Sequence, residues 1–224
     1  MKLVVINGSP RKHANTAQLC EMAVKGAESL GASGEVLNLY DAPFRGCISC
    51  FGCHLNTSAE RYDCFYKDAL TPILEKSLEA DALIIGSPVY YGNVTGAVRS
   101  YMERLLFPLD TYHFDEHGNR EVKRRKAVPT AFIYTMNATE EQLTHYKMDQ
   151  TLKSNEGVMH GIFGVKCEHL YSCDTMQWED YSRYYNNMFD PQHKKEHHDS
   201  QFPIDLQNAY ELGARLISAA QAIQ

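Results

Sequence analysis

Leu3-Val-Val-Ile-Asn-Gly-Ser-Pro-Arg-Lys-His-Ala-Asn-Thr-Ala-Gln-Leu19 is the stretch that decides the fold of this chain. It begins with a short run of apolar, mostly β-branched residues, which is typical of a strand buried on both faces. The chain then turns and enters a helical pattern with Leu19, Ala23, Gly26 and Leu30 on one side. The stretch therefore predicts a buried strand that leads through a polar loop into an amphipathic helix.

This junction is suited to hold a phosphate group. A strand that runs into a helix N-terminus leaves unpaired N–H groups at the positive end of the helix dipole. Ser9, Asn15 and Thr16 add short side-chain donors, and Arg11 adds a permanent positive charge. The stretch matches neither the G-x-G-x-x-G dinucleotide motif nor the NTPase P-loop. An ordinary strand, turn and helix capped by serine and asparagine is the alternative interpretation.

Composition narrows the class of protein. The chain has 224 residues, 22% of them charged, and a formal net charge of -6, which argues against a protein that coats nucleic acid. No apolar run reaches the length of a membrane span, and no signal-peptide pattern precedes the first strand, so we expect a cytoplasmic protein. In a reducing compartment the seven cysteines are thiols or metal ligands before they are disulfides.

Strand and helix patterns alternate along the chain. Further strands are predicted at 35–39, 82–86, 127–135 and 165–171. Helices are predicted to begin after Asp68, after Thr95, at the capping box of Thr139 and Gln142, and at about Asp205, with Asp68 as the cap of the first of these. Residues 108–126 form a polar excursion whose basic run, 123–126, reads as a solvated face. The pattern predicts an α/β fold with a five-stranded parallel sheet and helices on both faces. We expect one domain over residues 1–224, with a cysteine-rich loop at 45–66 and an aromatic, polar insertion at 174–203.

Ligands of such folds bind outside the carboxyl ends of the strands. The third strand ends in Ser87-Pro-Val-Tyr-Tyr-Gly-Asn93, which offers stacking surface from Tyr90 or Tyr91 and close backbone approach at Gly92. These features suit a flat heteroaromatic ring. Backbone N–H groups of the loop could donate hydrogen bonds to the edge of such a ring. The alternative is that both tyrosines are plain core residues.

Two motifs together resemble a known family. Gly8-Ser-Pro-Arg-Lys-His-Ala-Asn-Thr16 and Gly86-Ser-Pro-Val-Tyr-Tyr-Gly-Asn-Val-Thr-Gly96 are similar to motifs of the flavodoxin-like NADPH-dependent FMN reductases and iron–sulfur flavoproteins. The resemblance covers about the first 140 residues. It implies a flavodoxin-like three-layer sandwich that passes electrons from NAD(P)H through FMN to a quinone, an azo or nitro compound, free flavin or a protein partner. It also implies a homodimer or homotetramer. The charge and the lack of a long apolar run, noted above, give the expectation that neither nucleic acid nor a membrane is a partner.

The resemblance also assigns site residues. The FMN phosphate would bind Ser9, Arg11, Asn15 and Thr16. The isoalloxazine would lie beside Pro88, Val89, Tyr90, Tyr91, Gly92 and Asn93, with Thr135, Met136 and Asn137 along its other edge. Tyr90 or Tyr91 could stack on the ring or donate a proton to the reduced acceptor, and no other catalytic residue is expected. Backbone N–H groups of the two ring loops would stabilise the reduced ring.

The cysteines leave alternatives open. Cys47, Cys50, Cys53 and Cys64 resemble the motif by which iron–sulfur flavoproteins hold a [4Fe–4S] cluster, although the last gap is long. Free thiols over the flavin pocket are favoured over a cluster, and a zinc site with His54 nearby is a third possibility. An iron–sulfur electron carrier is therefore the alternative function. The segment 174–203 is interpreted as a lid or a subunit contact near the flavin.

Overall fold

The computed structural model describes residues 1–223. Seven strands form, five of them in the main sheet: β1 Lys2–Asn7, β2 Ser33–Asn38, β3 Ala82–Pro88, β4 Asp110–Phe114, β5 Arg120–Val122, β6 Thr130–Thr135 and β7 Glu168–Ser172. The helices are α1 Asn15–Glu28, α2 Thr71–Glu79, α3 Gly96–Leu106, α4 Glu140–His145, α5 Met148–Phe163 and α6 Pro191–Ala222. No helix within these residues combines the length and hydropathy that a membrane span requires.

The main sheet is parallel throughout, and its strand order is β2-β1-β3-β6-β7. This is the flavodoxin-like order, so the predicted fold class is confirmed. The chain passes from β1 to β2 on one side and then to β3 on the other, which creates the switch point between the carboxyl ends of β1 and β3. The division of the chain into one domain with two insertions stays a prediction.

Apolar residues cover both faces of the sheet. One face carries a core that includes Val4, Leu83 and Phe132, and the other carries Leu3, Ile84 and Ile133. Because neighbouring residues of a strand point to opposite faces, a strand buried on both sides must be apolar at every position. This explains why the unbroken run after Lys2 predicted β1.

Two glycines let α1 and α6 pack at very short range. A Cβ atom on Gly26 would lie 1.8 Å from the carbonyl oxygen of Tyr210, and one on Gly213 would lie 1.9 Å from that of Ala23. Real Cβ atoms do not approach a carbonyl so closely. Any side chain at either position would therefore force the two helices apart.

Two sequence predictions need correction. The last helix begins at Pro191 and not near Asp205, because Asp190 caps it, accepting from the N–H of Gln192, and the helix continues through Pro203. The polar excursion is not a plain loop, since it folds into the antiparallel hairpin of β4 and β5. The capping box at Thr139 and Gln142 is confirmed at the start of α4.

Candidate functional site

A cleft of about 250 Å³ opens at the carboxyl ends of β1, β3 and β6. Three loops that the sequence analysis singled out meet in it. Its lining consists of Ser9, Arg11, Ala14, Asn15, Thr16, Pro88, Val89, Tyr90, Thr135, Met136, Asn137, Thr175 and Gln177. Arg11 is the only charged residue in this lining. An anionic ligand would therefore meet one positive charge and no carboxylate.

The N-terminus of α1 faces this cleft without a side-chain cap. Its N-cap residue is Ala14, and the first turn holds no acidic side chain. The N–H groups of Asn15, Thr16 and Ala17 find no acceptor within residues 1–223. By contrast, Thr95 caps α3 and Asp190 caps α6. The interpretation in which serine and asparagine cap α1 is therefore wrong, and the free N–H groups fit a phosphate.

The loop before α1 is held rigidly. The N–H of Ser9 donates to Oδ1 of Asn7 at 3.1 Å, and Oγ of Ser9 accepts from the N–H of Arg11 at 3.1 Å. The buried hydroxyls of Thr16 and Thr135 lie 2.7 Å apart. A Cβ on Gly8 would lie 2.0 Å from Cγ2 of Val98, so this position requires glycine. The hydroxyl of Ser9 is thus held in place by hydrogen bonds within the loop, and that of Thr16 by its contact with Thr135.

Arg11 and Asn15 make contacts that the sequence analysis did not anticipate. The guanidinium of Arg11 donates to the carbonyl oxygen of Gln177, and Nδ2 of Asn15 donates to the carbonyl oxygen of Met176 at 3.0 Å. Both side chains line the cleft and also hold the chain segment that follows β7. Thr175 and Gln177 of that segment complete the lining, and no sequence motif marked them.

The loop after β3 divides into a part that lines the cleft and a part that does not. Pro88, Val89 and Tyr90 line it, whereas Tyr91, Gly92 and Asn93 do not. Tyr91 and Gly92 both have positive φ, at 51° and 80°, and the N–H groups of Tyr90 and Asn93 donate to each other's carbonyl oxygens. This tight turn points the Tyr91 side chain fully into solvent.

Asn93 has a structural task of its own. Its Oδ1 accepts from the N–H of Val94 at 2.8 Å and from Nδ2 of Asn155 at 3.0 Å, which ties the loop to α5. Tyr91, Gly92 and Asn93 therefore shape the loop that carries Tyr90, and in this chain they do not border the cleft.

The ring loops offer fewer free N–H groups than expected. The N–H of Val89 donates to the carbonyl oxygen of Thr135, that of Tyr90 to Asn93, and that of Met136 to Ser172. These three groups are therefore not available to a ligand. A different polar atom is available to a ligand. Oδ1 of Asn137 is buried in the cleft wall and has no hydrogen-bond partner within residues 1–223. Such an unpaired acceptor fits a ligand that presents a donor at this edge.

The cysteine-rich loop lies along α3, outside the cleft. Cys47, Cys50, Cys53 and Cys64 line one cavity of about 10 Å³, next to Arg104. That space holds roughly one water molecule, which is too small for a metal cluster. Within residues 1–223 no three Cys, His, Asp or Glu side chains form a group that could hold a metal ion. All four cysteines are free thiols, and none lines the cleft, so the expectation of thiols over the flavin pocket is wrong.

Arg104 anchors both ends of this loop. Its buried guanidinium donates to Oδ2 of Asp68 at 2.6 Å, to the carbonyl of Tyr66 at 2.7 Å and to that of Arg45 at 3.2 Å. Burial raises the pKa of the Cys53 thiol, and the neighbouring thiols of Cys64, Cys50 and Cys47 raise it further. Cys53 is thus the buried member of the four cysteines that line this cavity.

Two neighbours of the loop differ from expectation. Nε2 of His54 lies 3.1 Å from the carbonyl oxygen of Phe107, and the ring packs on Phe107 and Tyr112, so His54 is not aimed at the thiols. The basic run 123–126 is not simply a solvated face. Nζ of Lys123 donates to the carbonyl oxygens of Cys53 and Ser58, and Arg125 lies over the ring of Tyr62.

Sequence relatives of the chain are flavoproteins by name. An iron-sulfur flavoprotein of Archaeoglobus fulgidus is 41% identical over 104 residues, covering 46% of this chain and 48% of that protein. An iron-sulfur flavoprotein of Methanocaldococcus jannaschii is 36% identical over 104 residues, covering 46% of this chain and 51% of that protein. The matches thus span about half the length of these curated relatives.

Solved structures share the fold. An NAD(P)H:quinone oxidoreductase from Methanothermobacter marburgensis superposes with a TM-score of 0.68 and 17% identity over 96% of both chains. An azoreductase from Bacillus anthracis gives 0.63 and 13%, over 96% of this chain and 99% of that one. A family model described as NADPH-dependent FMN reductase matches residues 1–157, including every cleft residue on the loops after β1, β3 and β6. The chain therefore belongs to the NADPH-dependent FMN reductase family.

Proposed function

We propose that this protein is an FMN-dependent oxidoreductase that takes electrons from NAD(P)H and passes them to a small acceptor such as a quinone, an azo or nitro compound or a flavin. The single observation that carries the proposal is the uncapped N-terminus of α1, which opens into a cleft at the switch point of a flavodoxin-like sheet. Family membership points to the same cofactor.

The phosphate of FMN would be held at the β1–α1 junction. The N–H groups of Asn15, Thr16 and Ala17 would donate to its oxygen atoms, with the hydroxyls of Ser9 and Thr16 beside them. The guanidinium of Arg11 has five N–H donors, so it can face the phosphate while it remains bonded to Gln177. Together these groups neutralise a charge that the rest of the acidic chain would repel.

The flavin ring would lie between the loop of Pro88, Val89 and Tyr90 and that of Met136 and Asn137. Bound FMN supplies the hydride chemistry, and the chain supplies position and electrostatics. Oδ1 of Asn137 would accept a hydrogen bond from the edge of the ring. Tyr90 is half exposed at the mouth of the cleft, where it would stack on the ring or donate a proton to the acceptor. Among residues 1–223 no histidine or carboxylate lines the cleft, which suits a reaction that needs no protein base.

The working assembly is proposed to be a homodimer or homotetramer in the cytoplasm. The quinone oxidoreductase and the azoreductase that share this fold are named for small acceptors, and Tyr90, which lines the cleft, is half exposed, so an acceptor could reach it. Membrane lipids and nucleic acid are not proposed as partners.

Anaerobic stopped-flow reduction tests this proposal. The purified protein should retain FMN, and its visible flavin absorbance should be bleached by NADPH or NADH in a single turnover, at a rate that saturates with donor concentration. Added quinone should restore the colour. A protein that binds no FMN, or whose bound FMN is inert to both donors, would refute the assignment.

The second candidate is an iron–sulfur flavoprotein that passes single electrons to a protein partner. Its support is specific: four thiols surround one cavity, and Ser49 and Phe51 between them both have a φ of 53°. Left-handed backbone costs a non-glycine residue free energy, and such strain is concentrated at functional sites. The names of the sequence relatives favour the same candidate. As folded, the loop would have to open before Cys47, Cys50, Cys53 and Cys64 could hold a [4Fe–4S] cluster.

Iron analysis separates the two candidates. After anaerobic reconstitution with iron and sulfide, the second candidate requires stoichiometric iron, a broad brown absorbance and the loss of both in Cys50→Ser. Cys167→Ser is the matched control, because that thiol is buried beside β7 and away from the loop. A yellow protein without iron that is reduced by NADPH would leave the first candidate alone.

A further inference from the structure

The segment 174–177 closes one side of the cleft, and we call it the strap. The N–H of Asp174 donates to the carbonyl oxygen of Ala138 at 2.8 Å, and that of Thr175 donates to the carbonyl oxygen of Met136 at 3.0 Å. The strap thus runs beside the loop after β6 before it reaches the phosphate end. It lies beyond residue 157, where the family match ends, so it is a feature of this chain and not of the matched region.

A buried ion pair pins the start of the strap. The ammonium group of Lys194 on α6, a residue only 2% exposed, bonds to the carboxylate of Asp174 and to the carbonyl oxygen of Asn137 at 3.0 Å. Nε2 of His193 lies 2.7 Å from the other oxygen of Asp174. Burial opposes ionisation of Asp174, but the hydrogen bonds from Lys194 and His193 outweigh it and lower the pKa of that carboxyl. One lysine therefore joins α6, the strap and a cleft loop.

The far end of the strap is held from the opposite wall. Arg11 and Asn15, which lie at the phosphate end, donate to the carbonyl oxygens of Gln177 and Met176. Nδ2 of Asn137 donates to Oε1 of Gln177 at 3.1 Å. The strap is thus bonded at both ends and bridges the cleft from the β6 loop to the β1 loop.

We propose that the strap controls how fast the cofactor leaves the cleft, and that Arg11 and Lys194 are positioning residues that clamp its two ends. This rests on the proposed function, since the cofactor is taken to be FMN. FMN held under the strap can dissociate only after one of the clamps opens. The contribution of Arg11 to FMN retention is then due in part to the strap, beyond its charge on the phosphate.

Hydrogen exchange on the flavin-free protein tests the clamp without any cofactor. Arg11→Ala should speed amide exchange in a peptide that covers residues 174–178, by about tenfold or more, because a charge-assisted hydrogen bond is lost. If Arg11 acts only on the phosphate, the substitution leaves exchange in this peptide unchanged, and the proposal is overturned. Arg215→Ala, on the exposed face of α6, is the matched control and should not alter that peptide.

FMN release tests the consequence. After rapid dilution, the fluorescence of free FMN reports the release rate. Arg11→Ala and Lys194→Met should each release FMN at least about tenfold faster than the wild-type protein. Their effects should multiply less than fully in the double variant, because both substitutions open the same strap while Arg11 also acts on the phosphate. Lys195→Met carries the same substitution on the exposed neighbouring residue and should match the wild type.

The outcomes are distinguishable. If no variant and no wild-type protein binds FMN, the proposed function fails. If FMN binds but Lys194→Met releases it at the wild-type rate, or the two effects multiply fully, the strap inference fails while the proposed function stands. Should Lys194→Met not fold, Asp174→Asn takes its place, because it keeps the side-chain volume and weakens the same ion pair.

Discussion

Replacing Ala14 with aspartate should stabilise the fold and weaken FMN binding at the same time. Ala14 has the extended backbone of an N-cap residue, with φ −87° and ψ −174°, but it has no side chain to accept from the free N–H groups of α1. An aspartate there would accept from the N–H of Thr16 or Ala17. A cap of this kind is worth about 1 kcal/mol, and its charge adds ~0.3–1 kcal/mol by opposing the helix dipole. In a chain of this size that raises Tm by roughly 3–8 °C.

The same carboxylate would occupy the groups that hold the phosphate. At about 4 Å, each unit of phosphate charge would be repelled by between ~1 kcal/mol in water and ~4 kcal/mol near a protein surface. Even the lower value, applied to a phosphate that carries roughly 1.5 to 2 charges, weakens FMN binding by about 10- to 30-fold. A titration that follows the fluorescence quenching of FMN measures this directly.

Ala14→Asn is the matched control for charge. It offers a cap of equal size without the negative charge, so Tm should rise while FMN affinity falls by less than in Ala14→Asp. Riboflavin has no phosphate, so a comparison with it isolates the phosphate contribution. Each variant should change riboflavin affinity by a smaller factor than it changes FMN affinity. The reasoning is refuted if Ala14→Asp raises Tm and binds FMN as tightly as the wild-type protein.

Gly213→Ala should lower the free energy of unfolding, measured in urea melts, by roughly 2 kcal/mol or more, because α1 and α6 must separate. Gly157→Ala on α5, where a methyl group meets open space, should raise the free energy of unfolding by up to about 1 kcal/mol. Iodoacetamide at pH 8 should modify the exposed Cys47 rapidly and leave Cys20 intact, because burial raises the pKa of Cys20 to about 12. Equal labelling rates of the two cysteines in mass spectrometry would contradict the burial of Cys20. Tyr91→Gly should stabilise the turn by about 1 kcal/mol and leave FMN affinity unchanged, and a loss of affinity would show that Tyr91 faces the flavin after all.

Local sequence signals were sufficient for the sheet. An apolar run in which polar and apolar residues do not alternate, such as that of β1, indicates a strand that is buried on both faces. The regular succession of strands and helices along the chain then indicates that the strands are parallel. Loops that follow such strands must meet at one edge, which is why Ser9, Val89 and Met136 were placed together correctly. The Asp190-Pro191 pair was also a readable helix start, but the charge-rich residues after it and Pro203 concealed the helix.

The remaining features depend on contacts between distant parts of the chain. Nothing local to Gln177 shows that its carbonyl oxygen meets Arg11, because 166 residues separate them. The exclusion of Tyr91 from the cleft follows from two successive positive φ angles, which a tyrosine rarely adopts and which its residue type therefore did not signal. The position of the cysteine loop is likewise set by Arg104, whose partners come from two segments that are 21 or more residues apart in sequence, Arg45 on one side of the loop and Tyr66 and Asp68 on the other.

A crystal structure of the protein with bound FMN would show where the cofactor lies. We predict the phosphate within hydrogen-bond distance of the N–H groups of Asn15, Thr16 and Ala17, and the ring between Tyr90 and Met136. A phosphate bound elsewhere, or a cleft that stays empty in the presence of excess FMN, would contradict this prediction.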